Sequence, residues 1–127
     1  MNFILDTYAW IEYFIGSEKG SKVKKLFKNE KNKFYTVICC LAEIKGWTLK
    51  NNVESKEIIY LMKTNSEILQ LTEEDWIKAA KEKNEQRKSK DRFGLIDATL
   101  LVKQKDIDAK IVTGDKHFAG FKDTIFI

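Results

Sequence analysis

The sequence has no proline, a single histidine and only two cysteines among its 127 residues. The cysteines, Cys39 and Cys40, are neighbours, so they exclude a disulfide framework, and the chain has too few thiols and imidazoles for a structural zinc site. We expect both cysteines to be small buried side chains. The lone histidine, His117, excludes catalysis by a pair of histidines.

Long apolar runs are also missing. No segment approaches the roughly 18 residues of a membrane-spanning helix, and the N-terminus lacks the basic flank, apolar core and cleavage site of a signal peptide. The chain shows no linker, repeat or low-complexity segment, and its length suits one hydrophobic core. These absences predict a single domain over residues 1–127 that is soluble and cytoplasmic, with no membrane partner.

Arginine is rare, since only Arg87 and Arg92 accompany the many lysines. The chain has 23 basic and 19 acidic residues and a net charge of +4, which permits a polyanionic partner without requiring one. Four basic residues precede the last long helix and are candidates for contacts with phosphate groups: Arg87, Lys88, Lys90 and Arg92. A solvated surface is the more ordinary interpretation of such a cluster.

Apolar strands alternate with amphipathic helices along the whole chain. The pattern predicts strands at 2–5, 34–38, 67–71, 110–113 and 124–127, and helices at 8–15, 17–32, 39–51, 55–65, 72–90 and 93–105. We expect Thr7 to cap the first helix, and Thr72 with Asp75 to form a capping box. This alternation predicts an α/β fold of three layers, with a mainly parallel five-stranded sheet flanked by helices.

Two predicted strands end in an aspartate. Asp6 directly follows the first strand in "FILD", and Asp115 follows the fourth strand in "KIVTGD". In parallel sheets, ligands bind outside the carboxyl ends of the strands, where the strand order reverses. A surface turn explains one such aspartate, but two of them indicate a shared site.

Two further acids interrupt apolar helices. Asp97 lies in "FGLIDATLLV" and Glu43 in "CCLAEIKGW", and neither has a lysine or arginine three or four positions away. For either acid alone, a tertiary salt bridge or local exposure is an equally good explanation. Glu12 also lacks a helical cation partner, so it is either exposed or borders the same site.

Four converging carboxylates repel one another, and a hard divalent cation such as Mg²⁺ or Mn²⁺ relieves that repulsion with oxygen ligands. With the four acids set aside, the remaining 23 basic and 15 acidic residues carry a net charge of +8. An acidic metal pocket in a basic body suits an enzyme that cleaves phosphodiester bonds. The hypothesis is that Asp6, Asp97 and Asp115 hold the ion, and that Glu43 orients or deprotonates the attacking water.

The segment "FILDTYAWIEYF" resembles the N-terminus of PIN-domain ribonucleases, especially the small VapC-like toxins of prokaryotic toxin–antitoxin pairs. The segments "LAEI", "GLIDATLL" and "IVTGDKHF" resemble the three later motifs of that family, in the same order. The resemblance extends over essentially the whole chain. One departure is that Cys39 and Cys40 stand where relatives often carry a hydroxyl residue able to cap the third helix, which puts that cap in doubt.

The resemblance implies a PIN fold and a metal-dependent endoribonuclease. Its acidic site for one or two Mg²⁺ or Mn²⁺ ions would consist of Asp6, Glu43, Asp97 and Asp115. Thr7 and Thr113 match hydroxyl positions that support the carboxylates or the water. The resemblance also implies tRNA or rRNA as the substrate, a cognate antitoxin that blocks the pocket, and a homodimer.

Two interpretations remain open beside the enzyme. The chain could be a non-catalytic PIN-fold module that binds RNA or a protein. A receiver-type phosphoacceptor needs a second acid beside Asp6, where this chain has Thr7. An aspartyl-phosphate phosphatase needs an aspartate two residues after Asp6, where this chain has Tyr8, so both classes are disfavoured. For His117, packing or a turn hydrogen bond near Phe118 is favoured over catalysis.

Overall fold

A computed structural model describes every residue from Met1 to Ile127. Five strands alternate with six α-helices and one 3₁₀ turn. The strands are β1 (Asn2–Leu5), β2 (Lys33–Val37), β3 (Glu67–Leu69), β4 (Lys110–Thr113) and β5 (Thr124–Phe126). The helices are α1 (Thr7–Ile15), α2 (Glu18–Phe27), α3 (Cys39–Lys50), α4 (Ser55–Asn65), α5 (Glu73–Gln86) and α6 (Leu95–Ile107), and the 3₁₀ turn spans Lys116–Phe118.

All neighbouring strands pair in parallel, in the order β3-β2-β1-β4-β5. The chain leaves β1 toward β2 and β3 on one side, and later leaves β4 toward β5 on the other side. The strand order therefore reverses between β1 and β4, which pair with Leu5 opposite Val112. A crevice outside the carboxyl ends of these two strands is the expected ligand position in such a sheet.

Helices cover both faces of the sheet. In β1, Ile4 packs in the core beneath α5 and α6, whereas Phe3 and Leu5 pack in a second core with residues of α1 to α4. In β4, Ile111 and Val112 divide between the two cores in the same way. Because both faces are covered, the central strands are apolar throughout rather than alternating. The predicted α/β fold with a five-stranded parallel sheet is confirmed.

The prediction that Thr7 caps the first helix is wrong. Asp6 is the N-cap of α1, with extended backbone and a carboxylate that accepts the Thr7 N–H, so Thr7 is the first helical residue. Helix α3 begins after Ile38 without any side-chain cap, as expected from the two cysteines. The capping box of Thr72 and Asp75 is confirmed at the start of α5.

Several helix ends differ from their predicted positions. Helices α2 and α5 stop at Phe27 and Gln86, earlier than predicted, and α6 extends from Leu95 to Ile107. The lysine-rich stretches beyond α2 and α5 are turns, since they have no apolar face to bury. No helix combines the length and apolar character needed to cross a bilayer.

Candidate active site

The structure brings Asp6, Glu43, Asp97 and Asp115 to the crevice between the carboxyl ends of β1 and β4. Ligand atoms of Asp6 and Glu43 lie within 4.8 Å of each other, and so do those of Asp97 and Asp115. The charges of Glu43 and Asp97 both act on Asp6, which joins the two pairs into one cluster. Residues from the N-cap of α1, from α3, from α6 and from the turn after β4 therefore meet at one edge of the sheet.

Asp6 is the most buried acid of the cluster, with 6% of its surface exposed. Its two carboxylate oxygens accept hydrogen bonds of 2.7 Å from the Thr7 N–H and from the Thr113 hydroxyl. Burial raises the pKa of Asp6 to about 7, opposed by the Thr113 hydrogen bond and reinforced by the nearby Glu43 and Asp97 charges. The side chain is fixed in place, and its charged form is disfavoured unless a cation lies nearby.

Glu43 projects from the first half of α3 toward the same crevice. The Thr7 hydroxyl donates a 2.7 Å hydrogen bond to Oε1 of Glu43, and no protein group donates to Oε2. Partial removal from water raises the pKa of Glu43, and the charges of Asp97 and Asp115 raise it further. Glu43 is therefore a stronger base than a free glutamate.

Asp97 occupies the third position of α6. Its Oδ2 accepts the Gly94 N–H at 3.0 Å, so the carboxylate reaches back to cap its own helix. The same oxygen lies 3.1 Å from Nδ1 of His117. Burial raises the pKa of Asp97, although the contacts with Gly94 and His117 oppose the shift.

Asp115 follows β4 and begins the 3₁₀ turn. Its N–H donates to the Thr113 hydroxyl at 2.9 Å, and its Oδ1 accepts the His117 N–H at 2.9 Å. The turn hydrogen bond expected for His117 is thus present. The His117 ring additionally lies 3.1 Å from Asp97 Oδ2 and 3.5 Å from Asp115 Oδ1, two contacts that the sequence did not predict.

Thr7 and Thr113 contact the acids as the motif resemblance implied. Thr7 donates to Glu43, and the fully buried Thr113 donates to Asp6 while accepting from the Asp115 backbone. Thr7 directly follows Asp6 and holds Glu43, whereas Thr113 lies two residues before Asp115 and holds Asp6. The hydroxyls are therefore part of the framework that positions the cluster.

The PIN domain family model matches residues 3–123 of the chain. The chain belongs to the PIN domain family. The predicted family is confirmed, and the four acids lie within the matched residues. No curated protein sequence gives a significant match to this PIN domain.

Solved structures of toxins share the fold of this PIN domain. Mycobacterium tuberculosis VapC20, described as a sarcin–ricin loop cleaving toxin, has a TM-score of 0.76 at 16% identity, covering 95% of this chain and 97% of its own. VapBC-1 from nontypeable Haemophilus influenzae has a TM-score of 0.72 at 19% identity, covering 100% and 97%. VapBC2 from Rickettsia felis, bound to a promoter DNA fragment, has a TM-score of 0.71 at 16% identity, covering 100% and 98%.

No lysine or arginine of the PIN domain forms a salt bridge with any of the four acids. His117 is the only side chain with a cationic form that contacts the cluster. Converging carboxylates with no lysine or arginine beside them are the donor set that Mg²⁺ or Mn²⁺ prefers. The residues present therefore fit a hard divalent ion.

Cys40 lies closer to the cluster than sequence reasoning anticipated. Its Sγ is within 4.8 Å of ligand atoms of both Asp6 and Glu43. Contact with the Cys39 thiol, burial and the Asp6 charge hold the pKa of Cys40 well above its usual value, so its thiol is neutral. The spacing of Cys40 and Glu43, three residues apart on one helix, was the available signal.

The basic residues singled out in the sequence do not contact the acids. Arg87 donates through Nε to the Phe93 carbonyl at 2.8 Å, and Lys88 pairs with Glu85 at 3.2 Å. Lys90 lies over the Phe121 ring, 4.8 Å from its centroid. Arg87 therefore stabilises the turn that leads into α6, and contact with RNA remains a prediction for this group and for Arg92.

Glu12 does not join the cluster. Its carboxylate accepts a hydrogen bond from the Ser17 hydroxyl where α1 meets α2. Tyr8, by contrast, borders the site, because its ring packs so closely on Gly114 that a Cβ there would clash with it. Gly114 is thus required because the Tyr8 ring leaves no room for a Cβ, and not because its backbone conformation is unusual.

Proposed function

We propose that this PIN domain is a metal-dependent endoribonuclease that hydrolyses RNA phosphodiester bonds, and that it is the toxin of a type II toxin–antitoxin pair. One observation supports the enzymatic part above all others. Four carboxylates from four separate elements meet at the point where the strand order reverses, and no lysine or arginine neutralises them. A purely structural cluster of this kind would be costly to fold.

Asp6, Asp97 and Asp115 are the residues that would hold Mg²⁺ or Mn²⁺. The chemistry supplied by such an ion is Lewis acidity toward the phosphodiester and activation of water. Thr113 holds Asp6, and Gly94 holds Asp97, so each carboxylate is oriented before the ion binds. Little reorganisation is then needed on binding.

Glu43 is assigned as the group that orients and deprotonates the attacking water. Thr7 fixes Oε1 of Glu43, which leaves Oε2 able to accept a proton. The raised pKa of this carboxyl brings it closer to the working pH, as general-base catalysis requires. Protonated Glu43 would then return the proton to solvent, because part of the residue stays exposed.

The proposed substrate is tRNA or rRNA, and the proposed partners are a cognate antitoxin and a second copy of the chain. The description of VapC20 as a sarcin–ricin loop cleaving toxin supports an rRNA substrate, and the VapBC structures support an antitoxin. An antitoxin side chain of positive charge would suit a pocket that has no lysine or arginine of its own.

Cleavage of RNA by the purified protein tests this proposal. With Mn²⁺ present we expect the wild type to cut tRNA or rRNA, and a chelator to stop it. Asp97→Asn should lower the cleavage rate at least about 100-fold, since it removes a carboxylate from the reacting centre, while its amide oxygen still accepts the Gly94 N–H and preserves the fold.

Asp91→Asn is the matched control, because it makes the same change at an exposed turn six residues away. It should cleave like the wild type. Full activity of Asp97→Asn would remove Asp97 from the site. RNA binding without metal-dependent cutting by the wild type would instead favour the non-catalytic module.

A further inference from the structure

We propose that His117 is a positioning residue, whose Nδ1 donates a hydrogen bond to Asp97 while its backbone N–H holds Asp115, so that both carboxylates are ready for a divalent cation. The inference rests on the proposed metal-dependent function, and it concerns a residue that the carboxylate set does not include. His117 contacts both acids, one through its ring and the other through its ring and its backbone.

The contacts of Nδ1 determine where its hydrogen lies. Nδ1 of His117 is 3.1 Å from Asp97 Oδ2 and 3.5 Å from Asp115 Oδ1, and both oxygens are acceptors. A lone pair facing two carboxylate oxygens would be repelled, so this hydrogen-bond network assigns the hydrogen to Nδ1. With that hydrogen in place, Nδ1 has no lone pair to offer a metal ion.

The same contacts leave one oxygen of each aspartate available. Asp97 Oδ2 accepts from both Gly94 and His117, while no protein group donates to Oδ1. Asp115 Oδ1 accepts the His117 N–H, while no protein group donates to Oδ2. One residue therefore orients two carboxylates that would otherwise repel each other, and leaves an oxygen of each for a cation.

Two elements hold the imidazole in this position. The 3₁₀ turn that Asp115 begins places the His117 backbone, and the ring lies 6.4 Å from the Phe93 ring, centroid to centroid. Phe93 in turn packs on the buried Phe118 at 5.8 Å and stands two residues before α6. The ring is thus fixed between the segment that carries Asp115 and the segment that carries Asp97.

Binding of Mn²⁺ without RNA, measured by calorimetry, tests this assignment independently of cleavage. His117→Phe keeps an aromatic ring beside Phe93 but removes the donor, and should weaken Mn²⁺ binding about 10- to 100-fold. His117→Asn places an amide N–H at the position of Nδ1, and should bind within a few fold of the wild type. Lys116→Ala, in the same turn, is the control and should bind normally.

Three results would overturn the assignment. They are wild-type affinity in His117→Phe, a loss in His117→Asn as large as in His117→Phe, or a nitrogen coupling in the Mn²⁺ spin-echo spectrum of the wild type, which would make the imidazole a ligand. Thermal unfolding of each variant shows whether any loss of binding is only a loss of fold. A wild type that binds no Mn²⁺ would overturn both this inference and the proposed function.

Discussion

At the scale of single residues, the buried carboxyl of Asp6 links folding to pH. Its pKa is raised to about 7 mainly by burial, against an ordinary value of 3.8. The folded metal-free protein therefore keeps a proton that the unfolded chain releases between about pH 4 and pH 7. Stability from this group is fully present below pH 4 and decreases as pH rises through that window.

We predict that in a chelator the wild type loses stability from pH 4.5 to pH 7.5, and that Asp6→Asn loses less over the same range. The difference should be on the order of 3 kcal/mol in unfolding free energy. Urea unfolding at the two pH values measures it. Equal pH dependence in the two proteins would show that Asp6 does not carry a raised pKa.

Thr113 connects two acids through one hydroxyl. Thr113→Val preserves the shape but leaves Asp6 Oδ2 without a donor and the Asp115 N–H without an acceptor. We expect a loss of about 1–3 kcal/mol in unfolding free energy, together with weaker Mn²⁺ binding. Thr124→Val is the matched control, since its buried hydroxyl has no hydrogen-bond partner, and it should be neutral or stabilising.

At the scale of elements, the more buried of two ion pairs between α5 and α6, the helix that carries Asp97, joins Lys103 to Asp75. Lys103 Nζ lies 2.8 Å from Asp75 Oδ2, with side chains 15% and 10% exposed. Lys103 and the Thr72 N–H lower the pKa of Asp75, so this stabilisation is present above pH 4 and is lost as pH falls further.

Asp75→Asn should therefore lower the unfolding free energy by about 1–3 kcal/mol at pH 7, because it leaves the partly buried Lys103 with only the more distant Asp106 as a partner. The loss should shrink toward pH 2, which denaturation curves at several pH values would reveal. Asp106→Asn removes a more exposed partner of the same lysine at 3.7 Å, and should cost less than about 1 kcal/mol. An equal cost for both would contradict the assignment.

Element order was predictable because it depends on local apolar patterns, and so was the place of the site at the strand ends. The N-cap of α1 was not predictable, because Asp6 and Thr7 are both residues that often cap helices and only the geometry of the site decides between them. The His117 ring and the Cys40 thiol were missed for a different reason. The His117 ring meets Asp97 of α6, and the Cys40 thiol meets Asp6 at the start of α1. Local patterns carry no information on contacts between such distant segments.

At the scale of the whole molecule, the sheet topology explains why distant acids meet. Strand order reverses between β1 and β4, and four elements bring carboxylates to that edge of the sheet, where ligands bind in such folds. All residues other than the four acids have a net charge of +8, so a polyanion would be attracted to the molecule as a whole. Its phosphates would reach the four carboxylates only with a cation bound there.

Crystals soaked with Mn²⁺ give the most direct test that the four acids form a metal site. An anomalous difference map should show its strongest peak at bonding distance from carboxylate oxygens of Asp6, Asp97 and Asp115, with Glu43 facing it. The proposed metal centre would be contradicted if no peak appeared there at saturating Mn²⁺ while the four carboxylates lay together. It would also be contradicted if each carboxylate were paired with a lysine.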